Sequence, residues 1–233
     1  MGRTHMAFTK DTFKYFDLAK KNRSKREWFD KNKDLYETAV KTPMSELILA
    51  MAHAHQRNLM RIDVSGSKIS RPLRAKNKIE ADGAIVKTLS YFSLAEKQTS
   101  MFEWNPGIYF QVGSDDDDIF FGVGLYMISS RQISLLRNAL VDDFETIDEI
   151  ISDRKLKNAW GHLKGDVYKR FPKGYDPSSE PAKYLKYKQF YFSKQYTRKQ
   201  LLDPRFTQHM VKDLGVIIEF FSWVRKTVGT YRK

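Results

Sequence analysis

The chain has 233 residues, 41% hydrophobic and 14% aromatic, enough to bury a sizeable core as one domain or at most two small ones. Mean hydropathy is −0.56, and no run of about 18 apolar residues offers a transmembrane helix. The start, Met1 to Phe8, lacks the apolar stretch of a secretory signal, which points to the cytoplasm. Zero cysteines exclude disulfides, thiolate metal sites and a cysteine nucleophile.

His5-Met6 reads as a cloning-site remnant. Residues 1–5 are then vector sequence, and 6–233 form a single domain. Phe8 to Lys20 has a helical apolar face of Phe8, Phe13, Phe16 and Leu18. Ser24 with Glu27 resembles a capping box opening a second helix through Trp28, Phe29, Leu35, Tyr36, Ala39 and Val40. Thr42-Pro43 marks a third start, Thr as N-cap and Pro at the first helical position. Leu47, Ile48, Met51 and Ala52 carry its stripe towards Asn58.

The period then changes. Leu59 to Val64 alternates weakly and ends at the turn Ser65-Gly66-Ser67. Strands are predicted at Ala84–Leu94, Gly107–Val112 and Ile119–Ile128, the last two joined by a hairpin containing Asp115 to Asp118. Ser129-Ser130 caps a helix from Gln132 to Leu140, and Asp143 starts another through Ile151. Glycines and prolines punctuate Trp160–Pro181. Lys188 to Tyr196 reads as an edge or returning strand, with Phe190 and Phe192 facing in and Tyr191 and Lys194 facing out. Pro204 begins the last helix. The expected fold is α+β: one antiparallel meander flanked by N-terminal, middle and C-terminal helices.

Charge is uneven. With 41 Lys and Arg against 28 Asp and Glu, the net charge is +13. Residues 101–153 hold 2 basic and 11 acidic residues, and 154–198 hold 12 basic and 3 acidic. Such a layout suits an anionic partner on the basic face, or a solvated lysine-rich surface.

Most local motifs carry little chemistry. Asp115–Asp118 lacks the alternating ligands, central Gly and distal Glu of a calcium loop, so no metal is expected. His53 and His55 are two apart, not the four that a helical zinc pair needs. His162 and His209 are isolated. Gly122 and Gly124 lie inside a strand and read as a bulge or a close backbone approach. No cofactor is expected. Tyr168–Tyr175 and Tyr184–Tyr196 interleave cations with rings, which suits single-stranded nucleic acid and equally suits buried rings with a lysine rim.

Three blocks carry a resemblance. They are Lys25–Val40 with its Arg-Glu-Trp-Phe, Gly122–Met127 followed by a helix with Leu135, Leu136 and Arg137, and Gly165–Phe192 with Phe171-Pro-Lys-Gly-Tyr-Asp176. Together they resemble a mostly bacterial family, domain of unknown function 2461, over nearly the whole chain. The resemblance implies a fold and a region, not a reaction. Its signature matches at Arg71, Arg74, Asp82, Lys87 and Thr88, and departs at Ala75, Asn77, Lys78, Gly83 and Val86.

That region suggests an anion cradle of Arg71, Arg74 and Lys87 with Asp82 as orienter, and Arg131 and Lys173 on the rim. The alternative is a surface salt-bridge cluster. Three functions follow as expectations. The first is nucleic-acid binding through Lys, Arg and aromatic residues. The second is an enzyme on a small phosphorylated or carboxylated substrate held by Arg71, Arg74 and Lys87, with Asp82, Glu103 or Tyr109 as acid or base. The third is a protein-interaction module using the acidic stretch 101–153.

Overall fold

A computed structural model describes residues 8–65, 68–79, 81–96 and 104–229. The expected vector remnant, residues 1–5, lies outside the described residues.

Helix α1 (Lys10–Lys21) starts at a capping box formed by Thr9 and Thr12. The next stretch departs from expectation. Lys25, not Ser24, is the N-cap of α2 (Arg26–Lys31), and no side chain caps it. The Lys25 N–H instead closes a turn on the Asn22 carbonyl. Asn32 ends α2 and opens α3 (Lys33–Tyr36).

The helix then widens to one turn of π-helix, Glu37–Lys41, and runs directly into α4 (Thr42–Ala54). Thr42 is therefore inside a continuous helix and not a start. Pro43 explains the local geometry: it has no N–H for the carbonyl four residues back, Ala39. The Thr12 hydroxyl from α1 fills that place at 2.7 Å, and the Thr42 hydroxyl donates to the Glu37 carbonyl at 2.8 Å.

Helix α5 (Gln56–Leu59) follows. The weak alternation at 59–64 gives no strand, only a single bridge from Ile62 to Glu96. Strands β1 (Leu89–Ala95), β2 (Gly107–Gly113), β3 (Phe120–Leu125) and β4 (Phe190–Gln195) form one antiparallel sheet in chain order. This is the predicted meander, in an α+β fold. The free edge of β1 is lined by Ile62 and Ile69, and that of β4 by Lys164, with Val167 bridging Tyr187 just before it. The close backbone approach expected at Gly124 is present: its φ is +134°, and a Cβ there would stand 2.5 Å from the Phe190 carbonyl oxygen.

Between β3 and β4 come α6 (Ser130–Asp142), capped by Ser129 and Gln132, α7 (Phe144–Ser152), α8 (Arg154–Trp160) and α9 (Ala182–Leu185). Asp153 caps α8, a helix too short and too polar for its apolar period to stand out. After β4 come α10 (Arg198–Leu201) and α11 (Phe206–Val228), the latter beginning two residues after Pro204, with Arg205 at the N-cap position and no side-chain cap.

The sheet has two unlike faces, because alternate residues point opposite ways. Phe92, Phe110, Phe121, Val123, Phe190 and Phe192 are buried on the inner face. The helices pack there: Phe220 of α11 meets Phe192 edge-on at 4.9 Å, and Trp160 of α8 meets Phe121 at 5.0 Å. One connected cluster of buried side chains runs from Phe8 to Val228.

Lys194 corrects an expectation. It shares the inner face with Phe192, opposite Phe121 in the register, and does not face out. Its charge is met at the end of the sheet by Asp213 of α11, 2.7 Å away. Asp213 also accepts from the Tyr196 hydroxyl at 2.6 Å.

Candidate functional site: a ringed outer sheet face with cations at its edge

Two short segments meet beside the start of β1. Leu73 bridges Val86, the Arg74 N–H donates to the Ile85 carbonyl, and the Lys87 N–H donates to the Pro72 carbonyl, both at 2.8 Å. In this pairing Leu73 and Val86 point one way, and Val86 is fully buried. Arg74 and Lys87 therefore point the other way, on one shared face.

Burial, then the charges of Arg74 and Lys78, hold the Lys87 ammonium below its ordinary pKa. Thus Lys78, a departure from the family signature, adds a third cation to the cluster. Arg71, next to Pro72, is exposed.

Asp82 does not orient these residues directly. Its carboxylate pairs with Arg23 from the α1–α2 turn, and it also accepts from the Ala84 N–H at 3.1 Å. The Arg23 carbonyl accepts from the Ile85 and Val86 N–H groups at 2.7 and 2.8 Å. Arg23 and Asp82 thus clip the 82–87 segment to the N-terminal helices. No pattern around either residue signals this partnership.

From Lys87 the site continues onto the outer face of the sheet. Its ammonium lies over the Tyr91 ring, 5.4 Å from the centroid. Tyr91 stacks on Tyr109 at 5.5 Å and 25°, and Tyr109 meets Phe120 edge-on at 6.0 Å. Three half-buried rings therefore run across β1, β2 and β3. The register places Gln111 between Tyr91 and Phe120, and it accepts from the Tyr109 hydroxyl at 2.7 Å.

Beside Tyr109 sits Gly122, which presents no side chain, and then Ser193 of β4. Lys164 closes that side, donating to the Ser193 hydroxyl at 2.8 Å. Tyr191 continues the face and meets the exposed Tyr126 at 5.3 Å.

Arg131 and Lys173 are not brought to this cluster. The strands alternate in direction, so Lys87 lies at the end of the sheet where β1 starts. Arg131 lies in the first turn of α6, which follows the opposite end of β3. Seven residues of strand, about 20 Å, separate the two ends. Lys173 is an exposed loop residue of a segment that leans on α6, where the Tyr175 hydroxyl donates to Asn138. On that side Tyr168 lies between Arg137 and Lys188, 5.2 and 5.3 Å from its centroid.

The acid–base candidates are separated too. Glu103 lies outside the described residues. Burial pushes the Tyr109 hydroxyl up to about 12, so it stays protonated at neutral pH. Asp82 is occupied by Arg23. His55 Nε2 lies 2.9 Å from the Val211 carbonyl oxygen, and His53, His162 and His209 are exposed. In the aspartate turn, Asp118 accepts from the Asp115 N–H and Asp115 pairs with Lys20 at 2.9 Å. Among the described residues no group of three or more His, Asp or Glu gathers as a metal site. Nor is any of their helices long and apolar enough to cross a membrane.

An antiparallel meander with a one-sided helical layer, carrying the Arg-Glu-Trp-Phe block on α2, defines the class of protein. Residues 11–223 match the family model described as "Conserved hypothetical protein (DUF2461)", and the chain belongs to that family. No curated protein and no solved structure matches it.

Proposed function

We propose that the outer sheet face binds single-stranded nucleic acid. The observation that carries this reading is the continuity of Lys87 with the ring row Tyr91, Tyr109 and Phe120. Single strands take cations for their phosphates and aromatic faces for their bases. Here both occur on one surface, with Arg74 and Lys78 beside Lys87 and with Lys164 across the sheet. The glycine at 122 lets the Phe120 ring lie over the strand beside Tyr109, where a Cβ would meet that ring at 3.0 Å.

The test is a titration of fluorescent single- and double-stranded DNA and RNA at two salt concentrations. Single strands should bind best, and binding should weaken steeply with salt. Lys87→Ala with Arg74→Ala should lower the salt slope by about one for each phosphate no longer neutralised. Tyr91→Ala should cost about 1–3 kcal/mol whatever the base sequence. Absence of binding by the wild type at low salt refutes the reading. Full affinity in Tyr91→Ala refutes the stacking half of it.

A further inference from the structure

A second concave site lies away from the ringed face. A cleft of about 550 Å³ opens between α5, α7 and the C-terminal part of α11. That volume falls within the usual range for small-molecule sites.

Its floor is a charge pair that neutralises itself. Arg225 pairs with Glu96, their side chains 14% and 6% exposed. The Arg225 guanidinium also donates to the Asn58 carbonyl and lies 5.4 Å from the Phe221 ring centroid. A carboxylate, a carbonyl and a ring thus hold the Arg225 guanidinium in place. Among the described residues the charge left over comes from Arg57 and Lys226, against the carboxylate of Glu219. Arg57 and Lys226 make no ion pair among the described residues, although both line the same cleft from different helices.

Helix dipoles explain part of this. Lys226 sits in the last turn of α11, where cations are favoured. They do not explain why Arg57 lines the same concavity, nor why hydroxyls lie beside it. Ser222 and Thr146 line the cleft with Glu219, and Met60, Ile150 and Trp223 give it apolar wall. The Thr146 hydroxyl donates to Asp143 at 2.6 Å, which leaves its oxygen as an acceptor.

We propose that this cleft binds a small organic phosphate that also carries hydroxyl groups, of the phosphorylated-sugar class. The phosphate would take Arg57 and Lys226, with Arg61 near. The hydroxyls would donate to Glu219 and Thr146 and exchange with Ser222. This proposal does not rest on nucleic-acid binding.

The experiment is calorimetry and thermal unfolding of the whole chain with glucose 6-phosphate, glucose and inorganic phosphate. Glucose 6-phosphate at about ten times its Kd should raise Tm by about 3–6 °C. Glucose should do nothing. Arg57→Ala with Lys226→Ala, two surface changes, should weaken glucose 6-phosphate about tenfold or more. Glu219→Gln should weaken it more than it weakens inorganic phosphate. Lys87→Ala should leave binding unchanged, which separates this site from the sheet face. No Tm shift with either phosphate overturns the proposal, and so does a shift that survives the Arg57/Lys226 double change.

Discussion

The hydroxyl of Thr12 donates to the carbonyl oxygen of Ala39, 2.7 Å away and 27 positions along the chain. It stands where a backbone N–H would stand if residue 43 were not proline. The hydroxyl oxygen in turn accepts from the Thr9 N–H at 3.2 Å, so one buried group serves two helices. Thr12→Val keeps the shape and removes both bonds. It should cost about 1–3 kcal/mol and lower Tm by about 2–4 °C for each of those. Thr12→Ser should restore most of the loss in thermal unfolding. Equal stability of Thr12→Val and wild type would show that the carbonyl is satisfied otherwise.

Arg23 and Asp82 are each about half exposed, 48% and 41% by side chain. Such a pair contributes little to stability, at most about 1 kcal/mol. Its effect should fall on the segment it holds. Asp82→Asn should leave Tm nearly unchanged and yet weaken nucleic-acid binding, because the 82–87 segment that carries Lys87 loses its clip. A large Tm loss with unaltered affinity would make Asp82 a structural residue only.

Lys87 has a lowered pKa, set first by burial and then by Arg74 and Lys78. A lysine so depressed disfavours the folded state while charged in both states. That penalty fades as pH rises through the folded value towards the unfolded one, near 10.5. Lys87→Met should therefore be at least as stable as wild type at neutral pH. Its advantage should vanish at the alkaline end. Urea unfolding at several pH values reads this directly, and a Lys87→Met protein less stable at neutral pH contradicts it.

Burial pushes the Tyr36 and Tyr109 hydroxyls up to about 12. The folded state then favours the protonated phenol, so stability should fall as pH climbs past 10 towards 12. A spectrophotometric titration should find tyrosines that ionise late and together with unfolding. If all the tyrosines titrated near 10 with the fold intact, the burial described for these two would be wrong.

Gly124 has φ +134° and faces the Phe190 carbonyl. Gly124→Ala meets both a strained backbone and a clash, so it should lower stability by about 1–3 kcal/mol. Circular dichroism melts of this variant beside a surface Gly174→Ala control, whose Cβ meets nothing within 4 Å, separate the clash from a general glycine effect.

Local signals are the legible ones. Ser129 and the alternating strands can be read because a cap or a strand is set within a few residues. Gly124 can be read because its neighbours already look like a strand. Non-local partnerships stay hidden. Arg23 lies 59 positions from Asp82, and nothing in either neighbourhood names the other. Charge alone places Lys194 outside, yet its parity with Phe192 puts it inside, where Asp213 meets it from a distant helix. Thr42-Pro43 looks like a start because proline favours one, yet Thr12 lets the helix continue through it. The cleft is built from α5, α7 and α11, and no single stretch of sequence contains it.

Both borders of the sheet are occupied, by Ile62 and Ile69 beside β1 and by Lys164 beside β4, with Val167 flanking it. An incoming peptide thus finds the row of amides interrupted at Phe92 on one border and at Tyr191 on the other. Recognition is left to side chains standing off the flat of the sheet. Growth into fibres through these borders would first require the flanking segments to peel away.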